Sequence, residues 1–313
     1  MKIIDFDVIS NMNISPADCY QWVSEMIEKK GEALLPPKIS LKPMDGVFCN
    51  VMPSIVGEAG GIKVVTRYPE RVPALESFLS LFDVQTGEVL ALMDATWITA
   101  MRTGAVAAHA VIHLAKSNFS TIGMVGLGNT SRATLLVLAE VLKDKHLTIN
   151  LMKYKGQEED FAKRFARYEN LTFRTVDTAE ELVSGSDVVI SAVTYAPTNF
   201  CADEYFQKGV LVVPIHTLGF TNCDLFFDKV FADDYGHVCN FRYFDKFKRF
   251  AEMTDVVTGK VPGRESDDER ILAYNIGISV HDVYFANRIY SMIPQNMQLP
   301  EVELNTPKEK FWI

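Results

Sequence analysis

Thr121-Ile-Gly-Met-Val-Gly-Leu-Gly-Asn-Thr-Ser131 is the stretch whose reading decides the fold. A short apolar run leads straight into Gly126-Leu127-Gly128, and a helical pattern follows from Thr130. In that setting Gly126 permits a tight turn and Gly128 lets backbone N–H groups come close to a pyrophosphate. The helix N-terminus adds unpaired donors and a partial positive charge. Ser131 stands where a GxGxxG loop has its third glycine, a position that needs only a small residue for close packing of helix on strand. Gly126, Gly128, Asn129, Thr130 and Ser131 are therefore expected to hold a dinucleotide.

Working outward, strand patterns at 121–125, 147–153, 171–176, 187–192, 210–215 and 229–232 alternate with helix patterns at 130–143, 157–168 and 178–184. Alternation with short loops implies a doubly wound parallel sheet with helices on both faces, an α/β Rossmann fold. Ahead of it the texture differs. Strand-like runs at 48–56, 61–68 and 78–84 are followed by the turn Gln85-Thr86-Gly87, a partner run at 88–93 and an alanine-rich helix at 99–115. A last helical stretch, 277–293, is stopped by Pro294 and is expected to return to the leading part. The expected division is 1–116 with 279–313 as an α+β domain, and 117–278 as the nucleotide-binding domain.

The 313 residues suit two domains. A net charge of -9 opposes nucleic acid and anionic lipid, so neither is expected as a partner. No apolar run reaches the roughly 18 residues of a membrane span. Acids interrupt the N-terminal MKIIDFDVISNMN, which fails as a signal peptide. Cys19, Cys49, Cys201, Cys223 and Cys239 are odd in number and form no CxxC pair, as expected of free thiols in the cytoplasm. His109 and His113 share a helical face, but HExxH is absent and no metal site is expected. The second strand of the alternating region ends in Met152-Lys153-Tyr154-Lys155. NAD enzymes commonly carry an acid there for the ribose 2′-hydroxyl. The two lysines instead suit a 2′-phosphate, so NADP(H) is the preferred cofactor and NAD(H) stays open.

Leu81-Phe-Asp-Val-Gln-Thr-Gly-Glu-Val-Leu-Ala91 and Met93-Asp-Ala-Thr-Trp-Ile-Thr-Ala-Met-Arg-Thr-Gly104 resemble the signature that precedes the Rossmann domain in the ornithine cyclodeaminase/μ-crystallin family. Pro36-Pro-Lys38, Met52-Pro53, Gly61-Ile-Lys-Val64, Gly126-Leu-Gly128, Thr258-Gly-Lys-Val-Pro-Gly-Arg264 and Asn275-Ile-Gly277 fit in order, from about residue 30 to about 290. The resemblance implies a homodimer paired through the leading β domain, and hydride transfer at the α-carbon of an amino or imino acid. By motif, Arg102 matches the arginine that grips the substrate α-carboxylate, for which a guanidinium fork is suited. Lys63 matches the lysine beside the reacting carbon, and Lys38 stands where many members carry a second carboxylate-binding arginine. Ala192, Thr194 and Asn275 join the expected cofactor contacts.

One stretch departs from the family. Where the cyclodeaminases and alanine dehydrogenases place a candidate acid/base aspartate, this chain reads Val213-Pro-Ile-His-Thr-Leu-Gly219, with Leu218 at the aspartate position. His216, at the end of a strand, is the expected substitute for proton transfer or substrate contact. The loss favours an imine reductase or amino-acid dehydrogenase over an ornithine cyclodeaminase. A non-catalytic NADPH-binding protein is the remaining alternative.

Overall fold

The computed structural model describes residues 1–215, 218–304, 307, 309 and 310. Two sheets organise it. The first has six strands: β1 (Lys2–Ile4), β2 (Ile39–Met44), β3 (Val47–Val56), β4 (Ala59–Arg67), β5 (Leu75–Asp83) and β6 (Val89–Asp94), in the order β1-β6-β5-β4-β3-β2. Strands β2 to β6 pair antiparallel, and β1 adds in parallel at the far edge. The expected hairpin is present, with the Asp83 carboxylate accepting from the Thr86 N–H at 2.8 Å and holding its turn.

The second sheet has eight strands: β7 (Thr121–Val125), β8 (Leu147–Met152), β9 (Leu171–Val176), β10 (Val188–Ser191), β11 (Leu211–Pro214), β12 (Lys229–Ala232), β13 (Ala251–Glu252) and β14 (Ile271–Tyr274). Their order is β13-β12-β14-β11-β10-β7-β8-β9, and every pairing is parallel. The chain winds outward one way through β8 and β9, then the other way from β10. A crevice therefore opens above the carboxyl ends of β7 and β10, where open α/β sheets take ligands. Strand β14 is absent from the sequence expectation. Its four buried residues come straight after an acidic loop, and it separates β11 from β12.

Helices join the two sheets. The helix Thr96–Leu114 is buried along most of its length and crosses the phosphate-loop helix, Asn129–Val141, at Gly104. A Cβ on Gly104 would lie 2.5 Å from the Ala133 carbonyl carbon and 2.6 Å from the Thr134 nitrogen, both backbone atoms that cannot turn aside. Gly104→Ala is expected to destabilise the protein by about 3 kcal/mol or more, read as a lower urea midpoint. The helix Ser279–Met292 does pack back on the first sheet. Ser279 Oγ donates to the Pro53 carbonyl of β3 at 2.8 Å, and Val283 closes over Gly61 of β4. The helix Pro16–Glu28, also absent from the expectation, packs beside it through a Trp22–Phe285 edge contact at 5.0 Å. Its start carries a full capping box between Ser15 and Asp18, followed by Pro16.

Candidate active site

The alternation of β3 and β4 sends one set of side chains inward. Registers Met52↔Lys63 and Asn50↔Val65 place these four side chains on the face that looks toward the second sheet. Arg102 reaches the same space from nearly two turns into the helix Thr96–Leu114. Thr130, Ile215 and Asn275-Ile276-Gly277 close it from the side of the parallel sheet. The result is a cleft of about 450 Å³ that brings Lys38, Lys63, Arg102, Thr130 and Asn275 together.

At its floor lies a fully buried ion cluster. Asp282, in the first turn of the helix Ser279–Met292, puts Oδ2 at 2.8 Å from Lys63 Nζ and accepts from Arg102 Nε at Oδ1, also at 2.8 Å. One carboxylate thus fixes both cations, while the helix N-terminus steadies its charge. The Lys63 contact is a close ion pair without hydrogen-bond alignment. Lys63 Nζ and Arg102 Nη1 are buried atoms that retain donors for a ligand. Burial is the largest influence on Lys63 and brings its ammonium down to about 7, with the Arg102 charge adding to it and Asp282 opposing. Gly277, at φ +79°, packs against the guanidinium: a Cβ there would lie 2.7 Å from Arg102 Nη1. Its N–H donates to Asp233 Oδ2 at 2.8 Å, which holds that loop in place.

Lys38 Nζ donates to the Ile276 carbonyl at 2.9 Å, and burial lowers its pKa. Its backbone N–H donates to His237 Nε2 at 3.3 Å, and His237 Nδ1 meets Asp234 Oδ2 at 2.7 Å. Asp234 is in turn held by Lys30 at 2.7 Å. Lys38 therefore sits on a braced loop.

The phosphate loop stands beside the cleft. Gly126 adopts φ +80°, and a Cβ there would press on the Ala192 carbonyl at 2.8 Å, so only glycine fits this turn. Gly128 is the N-cap, with no side chain capping the helix behind it, and a Cβ there would meet nothing within 4 Å. Open space in front of uncapped N–H groups is the cradle a pyrophosphate needs. Ser131, fully buried, does more than stay small: its Oγ donates back to the Gly126 carbonyl and closes the loop. Ala192 donates its N–H to the Val125 carbonyl at 2.9 Å, next to the turn. Thr194 Oγ1 accepts from Arg67 Nη2 at 3.0 Å, a bridge from β4 to the second sheet. Asn275 is buried, its N–H donating to the Pro214 carbonyl at 3.0 Å.

Lys153 and Lys155 lie away from the cleft, on the surface after β8. Lys153 Nζ is 3.3 Å from Asp177, and Lys155 Nζ lies over the Tyr154 ring at 5.1 Å. His216 lies outside the described residues. His109 and His113 stack at 4.1 Å on their shared helix face, and no cluster of three or more potential metal ligands occurs among the described residues. Asp224 faces the core of the parallel sheet, accepting from the Tyr274 hydroxyl at 2.8 Å, and takes no part in the cleft. Asp282 is the member that sequence reading missed. An acid in the first turn of a helix is ordinary dipole complementation, and that reading conceals its contacts with residues 180 and 219 positions away.

Comparison with known proteins identifies the family and the fold. The chain is 29% identical over 266 residues to the Delta(1)-pyrroline-2-carboxylate reductase of Bacillus cereus, covering 77% of this chain and 80% of the relative. It is 30% identical over 241 residues to the N-((2S)-2-amino-2-carboxyethyl)-L-glutamate dehydrogenase of Staphylococcus aureus, covering 69% and 67%. The solved structure of Thermococcus litoralis Delta(1)-pyrroline-2-carboxylate reductase, in complex with NADH and L-proline, superposes with a TM-score of 0.82 at 23% identity, covering 93% of this chain and 97% of that one. The sequence model of the ornithine cyclodeaminase/mu-crystallin family matches residues 6–296, and the chain belongs to that family.

Proposed function

We propose that the chain is a nicotinamide-dependent oxidoreductase that interconverts an α-imino acid and an α-amino acid in the cleft between its two sheets. The observation that carries this reading is the Lys63–Asp282–Arg102 cluster, aimed into a cleft that also reaches the phosphate-loop helix at Thr130. When bound, the nicotinamide supplies the hydride. Arg102 anchors the α-carboxylate through its unpaired Nη1 side and orients the imine carbon. In reduction the C=N bonding pair moves to nitrogen as the carbon is reduced, and a neutral imine takes up one proton. Lys63 stands where that proton is handed over, and its depressed pKa lets it hold or release one near neutrality. From sequence alone, His216 is assigned a supporting share in proton transfer. Lys38 is assigned to a substrate carboxylate, and residues 126–131 with Ala192, Thr194 and Asn275 to the cofactor. We divide the chain into 1–116 with 279–313 for substrate and dimerisation, and 117–278 for the nucleotide.

The test is loss of NADPH or NADH absorbance at 340 nm with cyclic imines and with 2-oxo acids plus amines. Turnover supports the reading. Tight cofactor binding with no turnover would make the chain a binding protein. Proline formed from ornithine with no net cofactor change would make it a cyclodeaminase.

Our cofactor assignment is NADP(H), carried by Lys153 and Lys155. Lys153→Asp is expected to weaken NADPH binding by about tenfold or more, since a charged hydrogen bond contributes roughly 1.5–3 kcal/mol, and to leave NADH nearly unaffected. Fluorescence titration with both cofactors reads the difference.

The dimer assignment rests on the outward face of the first sheet. There Ile39, Val51, Val64 and Phe78 form one cross-strand row, with Phe78 50% exposed and Ile39 58% exposed. Such a row is an apolar patch that a second copy would cover. Phe78→Glu is expected to convert a dimer to a monomer in analytical ultracentrifugation. We assign the protein to the cytoplasm. All five cysteines are free, and no helix among the described residues is long and apolar enough to cross a membrane.

A further inference from the structure

The charges around the cleft do not balance for a substrate with a single carboxylate. Among the described residues, four cations line it, Lys38, Lys42, Lys63 and Arg102, and no carboxylate does. Asp282 neutralises one charge of the Lys63–Arg102 pair from behind, which leaves about one positive charge for an α-carboxylate. Lys38 and Lys42 remain. Neither makes an ion pair within 4 Å among the described residues, and Lys38 Nζ donates only to the Ile276 carbonyl. The acid that acts most strongly on Lys38 is Asp233, which is buried, lies beyond ion-pair distance and spends Oδ2 on the Gly277 N–H, and burial raises its pKa.

Position adds to charge. Lys38, Ser40 and Lys42 alternate along one extended segment, and all three line the cleft. Their Cα atoms are spaced about 6.6 Å apart along a strand-like segment. Asn50, the register partner of Ser40, brings an amide to the same spot, whose Nδ2 end is the one that can donate to an anion. Two ammonium groups, a hydroxyl and an amide beside the α-carboxylate anchor offer donors suited to a second anion.

Resting on the reading of the cleft as an imine/amine redox site, we propose that its substrate is dicarboxylic, with the second carboxylate seated between Lys38 and Lys42. That carboxylate belongs either to the side chain on the α-carbon or to the substituent on nitrogen. Apolar walls at Phe48, Val65 and Leu75 then cover the methylenes between the two charged ends.

The experiment compares kcat/KM for imines formed in situ, with cofactor saturating. Ammonium with 2-oxoglutarate or oxaloacetate tests the side-chain arm. Pyruvate with glutamate or aspartate tests the nitrogen-substituent arm. Pyruvate with ammonium or methylamine, and Δ1-pyrroline-2-carboxylate, are the monocarboxylate references. One dicarboxylic arm is expected to exceed the references by about 100-fold, the scale of a desolvated charge-assisted contact. Lys42→Met is expected to narrow that ratio by about tenfold or more. Monocarboxylates reduced as efficiently as both dicarboxylic arms, or a preference unmoved in Lys42→Met, would overturn the proposal while leaving the redox reading intact. Absence of all turnover would instead defeat the redox reading. The subsite is then read by calorimetric titration of glutarate against butyrate onto the cofactor-bound protein, and equal affinities would overturn it.

Discussion

Lys63→Met lowers kcat/KM for imine reduction by about 10²- to 10⁴-fold, the range of a positioned proton donor, and removes the pH dependence centred near neutrality. The wild-type profile carries the sign. Lys63 acts in its ammonium form, which is held to about 7 by burial and the Arg102 charge against the pull of Asp282. The ammonium is present below that value, so reduction falls as pH rises through it. Methionine fills the same volume with no titrating group, and the fall near 7 disappears from the residual activity. Stability moves differently. Methionine replaces a fully buried charge, and Arg102 still pairs with Asp282, so the urea midpoint changes little or rises. A large kinetic loss in a stable protein distinguishes a chemical role from a structural one.

Asp282→Asn gives the complementary pattern. Asp282 is the shared partner of two buried cations, and removing its charge leaves both uncompensated. Breaking a buried pair from one side costs about 3–5 kcal/mol, so the urea midpoint falls clearly. The remaining lysine loses the charge that favoured its protonated form, and the alkaline fall of activity moves below the wild-type value. Adding Lys63→Met to Asp282→Asn removes one of the stranded cations and restores part of the lost stability. A double-mutant cycle returns a coupling energy well outside the error of additivity.

The sequence carried the nucleotide-binding half of the fold well, because its signals are local. A strand, two glycines with distinct tasks and the start of a helix lie within eleven residues, and several of the parallel strands are apolar enough to read one by one. Arg102, Lys63 and Lys38 were legible only through motif resemblance, since nothing in the spacing of three cations on separate elements says that they meet. Asp282 escaped because its partners are far along the chain, and Ser131 gave no hint of its hydrogen bond to the Gly126 carbonyl. The helix Pro16–Glu28 was readable in principle from Ser15-Pro-Ala-Asp18, a capping box with proline at the first helical position. Strand β14 was not readable, because four apolar residues between an acidic loop and Asn275 fit a turn as well as a strand.

The central claim is that a nicotinamide ring, held by the phosphate loop, faces the substrate carbon gripped by Arg102 and Lys63. Reduction with cofactor deuterated at C4 tests it most directly, with the amino-acid product read by mass spectrometry and proton NMR. One deuterium, at the α-carbon and nowhere else, is the predicted result. An amino acid formed without deuterium there, from either face of labelled cofactor, would contradict it.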